Sequence, residues 1–505
     1  MTKDTWYVTT PIYYVNDVPH LGHAYTTVAC DFLARWHRLH GRRVHFLTGT
    51  DEHGAKNAKA AEERGLTPRE WVDQVVVHWK QLWERLEISH DDYIRTTEPR
   101  HIGPVGRFMT ALHETGDVYL GSYEGLYCVR CEEFKTDTEA EGGVCPIHKT
   151  PVETLAEDNY FFRLSAYTDR LLDHYESNPG FAQPERTRNE VLGRIRQGLR
   201  DIPISRPTLK WGIPVPWDDK HVIYVWIEAL QNYITAIGYG TDDERFKRIW
   251  PADVHMMGKE IIWHHAIVWP AMLMSVGLPL PKTVFAHGWL LAGGEKIAKS
   301  GRSIAQISPL ELIDQFGVDA YRYHFLRATS FGDDSNFSIE DMGARYTADL
   351  ANDLGNLASR TVAMVDRYFG GVVPEPGEVQ PPEQDLLDRA GAAGPSADAL
   401  VGQYRINEAI GSVWEVIRHA NRYLVEREPW KLARDESSLP LVGSVLNTAA
   451  ESLKTVAALL CPAMPGAMSE LWSRLGLEGP PRLDAPPLAG ARVRPGDPLF
   501  PRLEG

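Results

Sequence analysis

Cysteine is scarce, with 5 in 505 residues, which excludes a small disulfide-stapled fold. Three of the five, Cys128, Cys131 and Cys145, fall in one short segment with His148, while Cys30 and Cys461 stand alone in apolar helical surroundings. That distribution fits a reducing cytoplasm and a metal site. No apolar run approaches the roughly 18 residues that cross a bilayer, so a membrane span is not expected. The opening Met1 to Trp6 runs straight into strand-like sequence without the regions of a signal peptide, and a cytoplasmic protein is expected. Basic residues are in deficit, 53 against 68 acidic for a net charge of −15. This excludes a globally basic nucleic-acid binder and leaves room only for a local basic face. Apolar matter is not lacking: 43% hydrophobic and 10% aromatic residues exclude intrinsic disorder, and the length allows three or four domains of about 150 residues each.

The first 50 residues alternate as strand, loop, helix and strand. Trp6 to Ile12 is β-branched and aromatic, Pro11 to Pro19 is turn-rich, and Leu21, Val28, Phe32, Trp36 and Leu39 repeat at helical spacing before Gly41. Arg43 to Thr50 returns as a strand, a unit that builds parallel sheets with ligands at the strand carboxyl ends. A second such unit is expected late, with strand Asp253 to Met257, helix Glu260 to Val276 and strand Thr283 to His287. Between the halves, Gly116 to Pro214 changes to short strands and glycine-rich turns. After Gly343 the pattern is helical, with stripes Leu350, Leu354, Leu357, Val365 and Ile406, Ile410, Val413, Ile417, Leu424, then a third helix from Leu441 to Leu460. Gly370 to Pro382 reads as a link.

Three patterns carry chemistry. His20-Leu21-Gly22-His23 stands where the first strand hands over to the first helix, so two imidazoles and the helix-start amides can meet one anion. Lys296 and Lys299, followed by Ser300, lie three apart in a glycine-flanked loop that can carry two ammonium groups to a polyphosphate. Cys128, Cys131, Cys145 and His148 form C-x2-C-x13-C-x2-H, the pair spacing of a tetrahedral Zn²⁺ site; four filled positions make it structural.

The first two patterns, in that order around a split parallel sheet, resemble class I aminoacyl-tRNA synthetases. Further landmarks narrow the resemblance to the methionyl-tRNA synthetase family over nearly the whole chain. They are Pro11-Ile12-Tyr13-Tyr14, Thr48-Gly49-Thr50-Asp51-Glu52-His53-Gly54, Trp211 to Pro216, Tyr224 to Ala229, Gly258-Lys259-Glu260, Trp269 to Leu273, Asn356 to Arg360 and Glu428-Pro429-Trp430. One departure stands out: the family's Lys-Met-Ser-Lys-Ser reads Lys296-Ile297-Ala298-Lys299-Ser300, keeping both lysines and losing a hydroxyl at Ala298.

The resemblance implies an α/β fold: a split Rossmann-type catalytic domain (1–115 and 215–303) with an inserted zinc-binding module (116–214), a stem-contact region (304–345) and a helical anticodon-binding domain (346–505). It implies that methionine, ATP with Mg²⁺, and initiator and elongator tRNA(Met) are the partners. His20 and His23, with Lys296 and Lys299, would be catalytic, and Gly22, Glu260, Gly288 and Ser300 would join the lysines around ATP. Glu260 would hold the ribose hydroxyls and Gly288 would admit the adenine. Asp51 would take the methionine ammonium, and Ile12, Tyr14, Trp226, Ala229, Leu230, Tyr233, Ile261 and His265 would surround the side chain. There a tyrosine hydroxyl or an imidazole N–H could bond the sulfur. Asn356, Arg360 and Trp430 match anticodon-reading positions. Synthetases for leucine, isoleucine or valine should carry a much longer insertion, and a small nucleotidyltransferase would lack the helical C-terminal part. The chain end near Phe500 carries no appended dimerising domain, so a monomer is expected.

Overall fold

The computed structural model describes residues 3–128, 133–135, 140–146, 149–292, 295–296, 308–328 and 330–503. In chain order the elements that matter most are Trp6–Thr9 (β1), Tyr13–Tyr14 (β2), Leu21–Leu39 (α1), Val44–Asp51 (β3), Asp92–Arg95 (β4), Pro99–Glu114 (α2), Ala182–Gln183 (β5), Val225–Leu230 (α3), Val254–Gly258 (β6) and Val284–His287 (β7). They are followed by Val318–Arg327 (α4), Asn356–Phe369 (α5), Pro381–Val401 (α6), Ile406–Arg427 (α7), Leu439–Leu460 (α8) and Pro465–Arg474 (α9). The chain forms two compact units: residues 1–19, 43–81 and 90–287, and residues 20–42, 82–89 and 288–505.

The first unit is built on a parallel sheet whose pairings run β4–β3–β1–β6–β7–β5, with β2 on the carboxyl end of β3. Its central strands are apolar and β-branched because both faces are covered; every residue of β6 and β7 is buried. Gly49 of β3 is obligatory, since a Cβ there would lie 2.1 Å from the Ile94 carbonyl oxygen of β4. The strands expected at Arg43, Asp253 and Thr283 all form, each within a residue or two of its expected bounds. The expected helix from Glu260 to Val276 is less regular, passing through a 3-10 turn, a π-helical turn at His264–Val268 and a final α-helix. In the segment from 116 to 214, Val118–Cys128 and Glu153–Phe162 pair as a long antiparallel hairpin. That segment is not wholly separate: β5 lies within it yet forms the edge of the main sheet by pairing with β7.

The second unit gathers α1 with the carboxyl-terminal helices. The stripe residues Leu350, Leu354, Leu357 and Val365, and those of α7, are buried as their periodicity requires. Among the described residues, two long helices go beyond the three expected, besides the single turn Pro429–Leu432. The Gly370 to Pro382 link ends in α6, whose Leu386, Ala390, Ala393, Ala397 and Val401 face inward despite Gly391, Gly394 and Pro395, and α9 follows α8.

A buried charge cluster fastens α1 to these helices. Arg322 of α4, with no exposed side-chain surface, donates to Asp31 Oδ2 of α1 at 2.6 Å. It also donates to the carbonyl oxygens of Leu86, Pro462 and Ala463 at 2.9–3.0 Å. Asp31 takes further bonds from Arg35 at 2.7 Å and from the Ser89 amide and hydroxyl at 2.7 and 2.6 Å. Burial would raise the Asp31 carboxyl, but the two guanidinium groups and Ser89 hold it below the usual carboxylate value. Removing Arg322 strips the buried Asp31 of its fully buried cation and leaves it only the partly exposed Arg35 and Ser89. Arg322→Met should therefore cost roughly 3–5 kcal/mol in urea unfolding, and a loss below about 1 kcal/mol would contradict this account of the cluster.

Candidate active site

The first unit gathers a cluster of aromatic, apolar and carboxylate side chains where the parallel register ends. Tyr14 of β2 pairs with Asp51 at the end of β3, so an aromatic ring and a buried carboxylate become neighbours through backbone alone. Trp226 on α3 meets Tyr14 edge to face at 6.3 Å and stacks on His264 at 4.1 Å. Ile12, Tyr14, Trp226 and Ile261 are partly buried and pack on the core that includes Leu230 and Tyr233. Ala229 is buried beside them on α3.

Tyr233 Oη lies 2.7 Å from His265 Nε2, and His265 Nδ1 lies 3.0 Å from the Ile261 carbonyl oxygen. A carbonyl only accepts, so Nδ1 carries the proton. Burial holds the imidazole pKa down to about 4, so near neutrality Nε2 is bare and accepts from the Tyr233 hydroxyl. In this arrangement the Tyr233 hydroxyl and the His265 Nδ1 hydrogen are both engaged within the protein.

The loop after β3 is fixed at three successive carbonyls. Asn57 Nδ2 donates to those of Asp51 and His53, both at 3.0 Å, and Trp211 Nε1 to that of Glu52 at 2.6 Å. Glu52 itself is paired with Arg95 at 2.6 Å and takes a bond from Thr50 at 2.9 Å. Glu228 of α3, fully buried, accepts from His53 Nδ1 at 2.9 Å and from His101 Nε2 of α2 at 2.8 Å. At the end of β6, Gly258 makes room for Glu260, whose carboxylate oxygen would sit 2.5 Å from a Cβ at that position.

The second unit holds the histidine signature. At the start of α1 the two imidazoles cap the helix reciprocally: the Gly22 amide donates to His20 Nδ1 at 3.1 Å, and the His20 amide to His23 Nδ1 at 3.2 Å. The rings stack at 3.7 Å. With both Nδ1 atoms accepting, each neutral ring carries its hydrogen on Nε2, the tautomer that can donate to a phosphoryl oxygen. Gly22 is needed for this packing, since a Cβ would meet the His20 ring at 3.1 Å. At Gly288 the space of the missing Cβ is filled by the backbone of Asp333 and Asp334, 2.1–2.4 Å away, so a close chain crossing requires glycine there. Lys296 lies in the two-residue strand Glu295–Lys296, while Lys299 and Ser300 lie outside the described residues.

Arg360 sits over the Trp430 ring at 5.1 Å, and Asn356, one turn before Arg360 on α5, is exposed. Trp430 is only half-buried. Of the four zinc-type residues, Cys128 and Cys145 are buried, the first at the end of the hairpin strand and the second in a turn closed by Lys149 N to Cys145 O at 2.9 Å. Cys131 and His148 lie outside the described residues, and among the described residues no group of three metal-ligating side chains assembles.

Residues 6–153 and 142–362 match the family described as tRNA synthetases class I (M). The methionine–tRNA ligase of Streptomyces coelicolor is 52% identical over 526 residues, covering 99% of this chain and 97% of the relative. That of Caldanaerobacter subterraneus subsp. tengcongensis is 48% identical, covering 99% and 79%. This chain belongs to the class I methionyl-tRNA synthetases. A solved methionyl-tRNA synthetase, that of Mycobacterium tuberculosis in complex with methionyl-adenylate, matches with a TM-score of 0.96 at 40% identity, covering 99% of this chain and all of that one. The free-state form matches at 0.90 and 36%, covering 100% and 99%.

The sequence singled out the residues that cluster at this strand edge but assigned nothing to Glu228, His101 or Asn57. One signal was available: an acidic residue inside the apolar run Val225 to Leu230 is costly to bury unless something holds it. The depressed His265 pKa gives a signed prediction. The unfolded ring protonates near its ordinary value of about 6.5, so this group's contribution to stability is present above that pH and is lost as pH falls toward 4. Urea midpoints should show His265→Gln losing less stability than the parent between pH 6.5 and 4.5, and equal losses would place the ring in water.

Proposed function

We propose that the chain performs methionine–tRNA ligation in the cytoplasm through the residues described above. The observation that carries this reading is the register pairing of Tyr14 with Asp51 beside the Trp226 and Tyr233 walls. An ammonium acceptor and an apolar, polarisable slot for an unbranched side chain then open on one strand edge. In this reading Asp51 binds the ammonium, Glu260 the ribose hydroxyls of ATP, and the walls the thioether.

A methionine carboxylate oxygen attacks the α-phosphorus of ATP in line. The bond from that phosphorus to the bridging oxygen breaks, and pyrophosphate leaves with the electron pair. His20 and His23 donate from Nε2 to oxygens gaining charge, and Lys296 and Lys299 neutralise the departing pyrophosphate. Mg²⁺, which accompanies ATP, supplies further neutralisation when bound. The 2′-hydroxyl of the terminal adenosine of tRNA(Met) then attacks the activated carbonyl and AMP departs. No covalent enzyme intermediate is required.

The inserted module would hold one structural Zn²⁺ through Cys128, Cys131, Cys145 and His148. The buried sulfurs of Cys128 and Cys145 support this donor set. Asn356, Arg360 and Trp430 would read the anticodon, with an exposed amide, a guanidinium and a half-buried indole offering edges and a stacking face.

The reading is tested by charging. Asp51→Asn should cut methionine activation by about two orders of magnitude, as loss of a charge partner worth roughly 2–5 kcal/mol requires, with the fold retained. Activity within twofold of the parent would remove Asp51 from the site. Trp430→Ala should lower methionylation of tRNA(Met) by roughly 10- to 100-fold while leaving tRNA-independent activation intact. If both activities fall with the melting temperature, the indole is a packing residue.

A further inference from the structure

Glu228 has no part in the chemistry above, yet it is a fully buried carboxylate in the first unit. Its side chain has no exposed surface, and each carboxylate oxygen accepts one imidazole N–H, from His53 at 2.9 Å and from His101 at 2.8 Å. His101 in turn meets the Thr235 hydroxyl at 2.8 Å. Burial opposes the charge, but the two rings outweigh it and hold the carboxyl below its ordinary value. Such an ion is retained in a dry core only where its geometry is useful or its partners are many.

The geometry links two parts of one pocket. Along the single helix α3, Trp226, Ala229 and Leu230 share one side by their three- and four-residue spacing, while Glu228 projects from another. The imidazole it holds, His53, stands two residues after Asp51, and Asn57 ties the carbonyls of both. One carboxylate thus joins the helix that walls the thioether slot to the loop that presents the ammonium acceptor, with α2 as a third anchor. Sequence separations of 175 and 127 residues mean that no local structure would hold these parts together.

We propose that Glu228 is a positioning residue for amino-acid selection, setting the distance between the Asp51 carboxylate and the thioether wall through His53. The inference rests on the assignment of Asp51 as the ammonium acceptor. It makes the enzyme measure methionine from its amine to its side chain, so that a ligand lacking the amine is indifferent to Glu228.

The test is a set of variants assayed on the full chain. Glu228→Gln keeps the shape but offers one acceptor where two are needed; its KM for methionine should rise by about tenfold, with kcat and the KM for ATP within about threefold of the parent. Inhibition by 4-(methylsulfanyl)butanoate, which is methionine without its amine, should change by less than about twofold. The double variant with Asp51→Asn should be no worse than Asp51→Asn alone, because the two act on one contact. Should Glu228→Gln fail to fold, His53→Ala and His53→Asn replace it. The alanine should raise the KM for methionine and the asparagine, whose amide stands where Nδ1 was, should restore it. Loss of the amine-free inhibitor in parallel with methionine, or additive effects with Asp51→Asn, would reduce Glu228 to packing and overturn the proposal. If Asp51→Asn is itself silent, the reading of the pocket fails; if it is damaging while Glu228→Gln and His53→Ala are silent, only this inference does.

Discussion

Every pairing in the main sheet is parallel, and the site depends on that constraint. Parallel strands end on the same edge, so residues far apart in sequence become neighbours there without any side-chain contact to guide them. Tyr14 meets Asp51 because β2 runs beside β3, and Gly258 meets His287 because β6 runs beside β7. The glycines of this edge follow from the same closeness. Gly49 admits a backbone carbonyl at a distance no Cβ could tolerate, and Gly258 leaves the Glu260 carboxylate the space it occupies.

Around this frame the protein buries charge where it needs accuracy rather than stability. The carboxylates of Asp31, Glu52 and Glu228 are each fully buried and each engaged, with Arg322, with Arg95 and with two histidines. Replacing such groups by apolar ones is often neutral or favourable for folding, so their presence is better explained by the elements they align. The first fastens the helix that begins with His20 and His23 to α4 and the turn before α9. The second and third fix the loop that follows β3. The His20 and His23 rings show a related economy, capping their own helix through Nδ1.

How much of this was legible in the sequence depended on range. The strand ends and the histidine signature could be read because motif and structure coincide within a few residues. Glu228 could not, since its partners are more than a hundred residues distant, and neither could the Asp31–Arg322 pair, separated by 291. Helix α6 was hidden by Gly391, Gly394 and Pro395, which argue against a helix locally; the buried small residues Ala390, Ala393 and Ala397 show packing overriding that propensity. Strand β5, two residues long, carries no periodicity to detect. Gly288 was read as a close approach, and the fold supplies a reason the sequence did not show, the backbone of Asp333 and Asp334.

The central claim is that the edge of this sheet selects methionine and activates it with ATP. Exchange of labelled pyrophosphate into ATP, measured with each of the twenty amino acids in turn and without tRNA, tests it most directly. The account predicts rapid exchange with methionine, and rates lower by at least about two orders of magnitude with leucine, isoleucine and valine, whose branched shapes a slot for an unbranched thioether excludes. Comparable exchange with any of those three, or none with methionine, would contradict it.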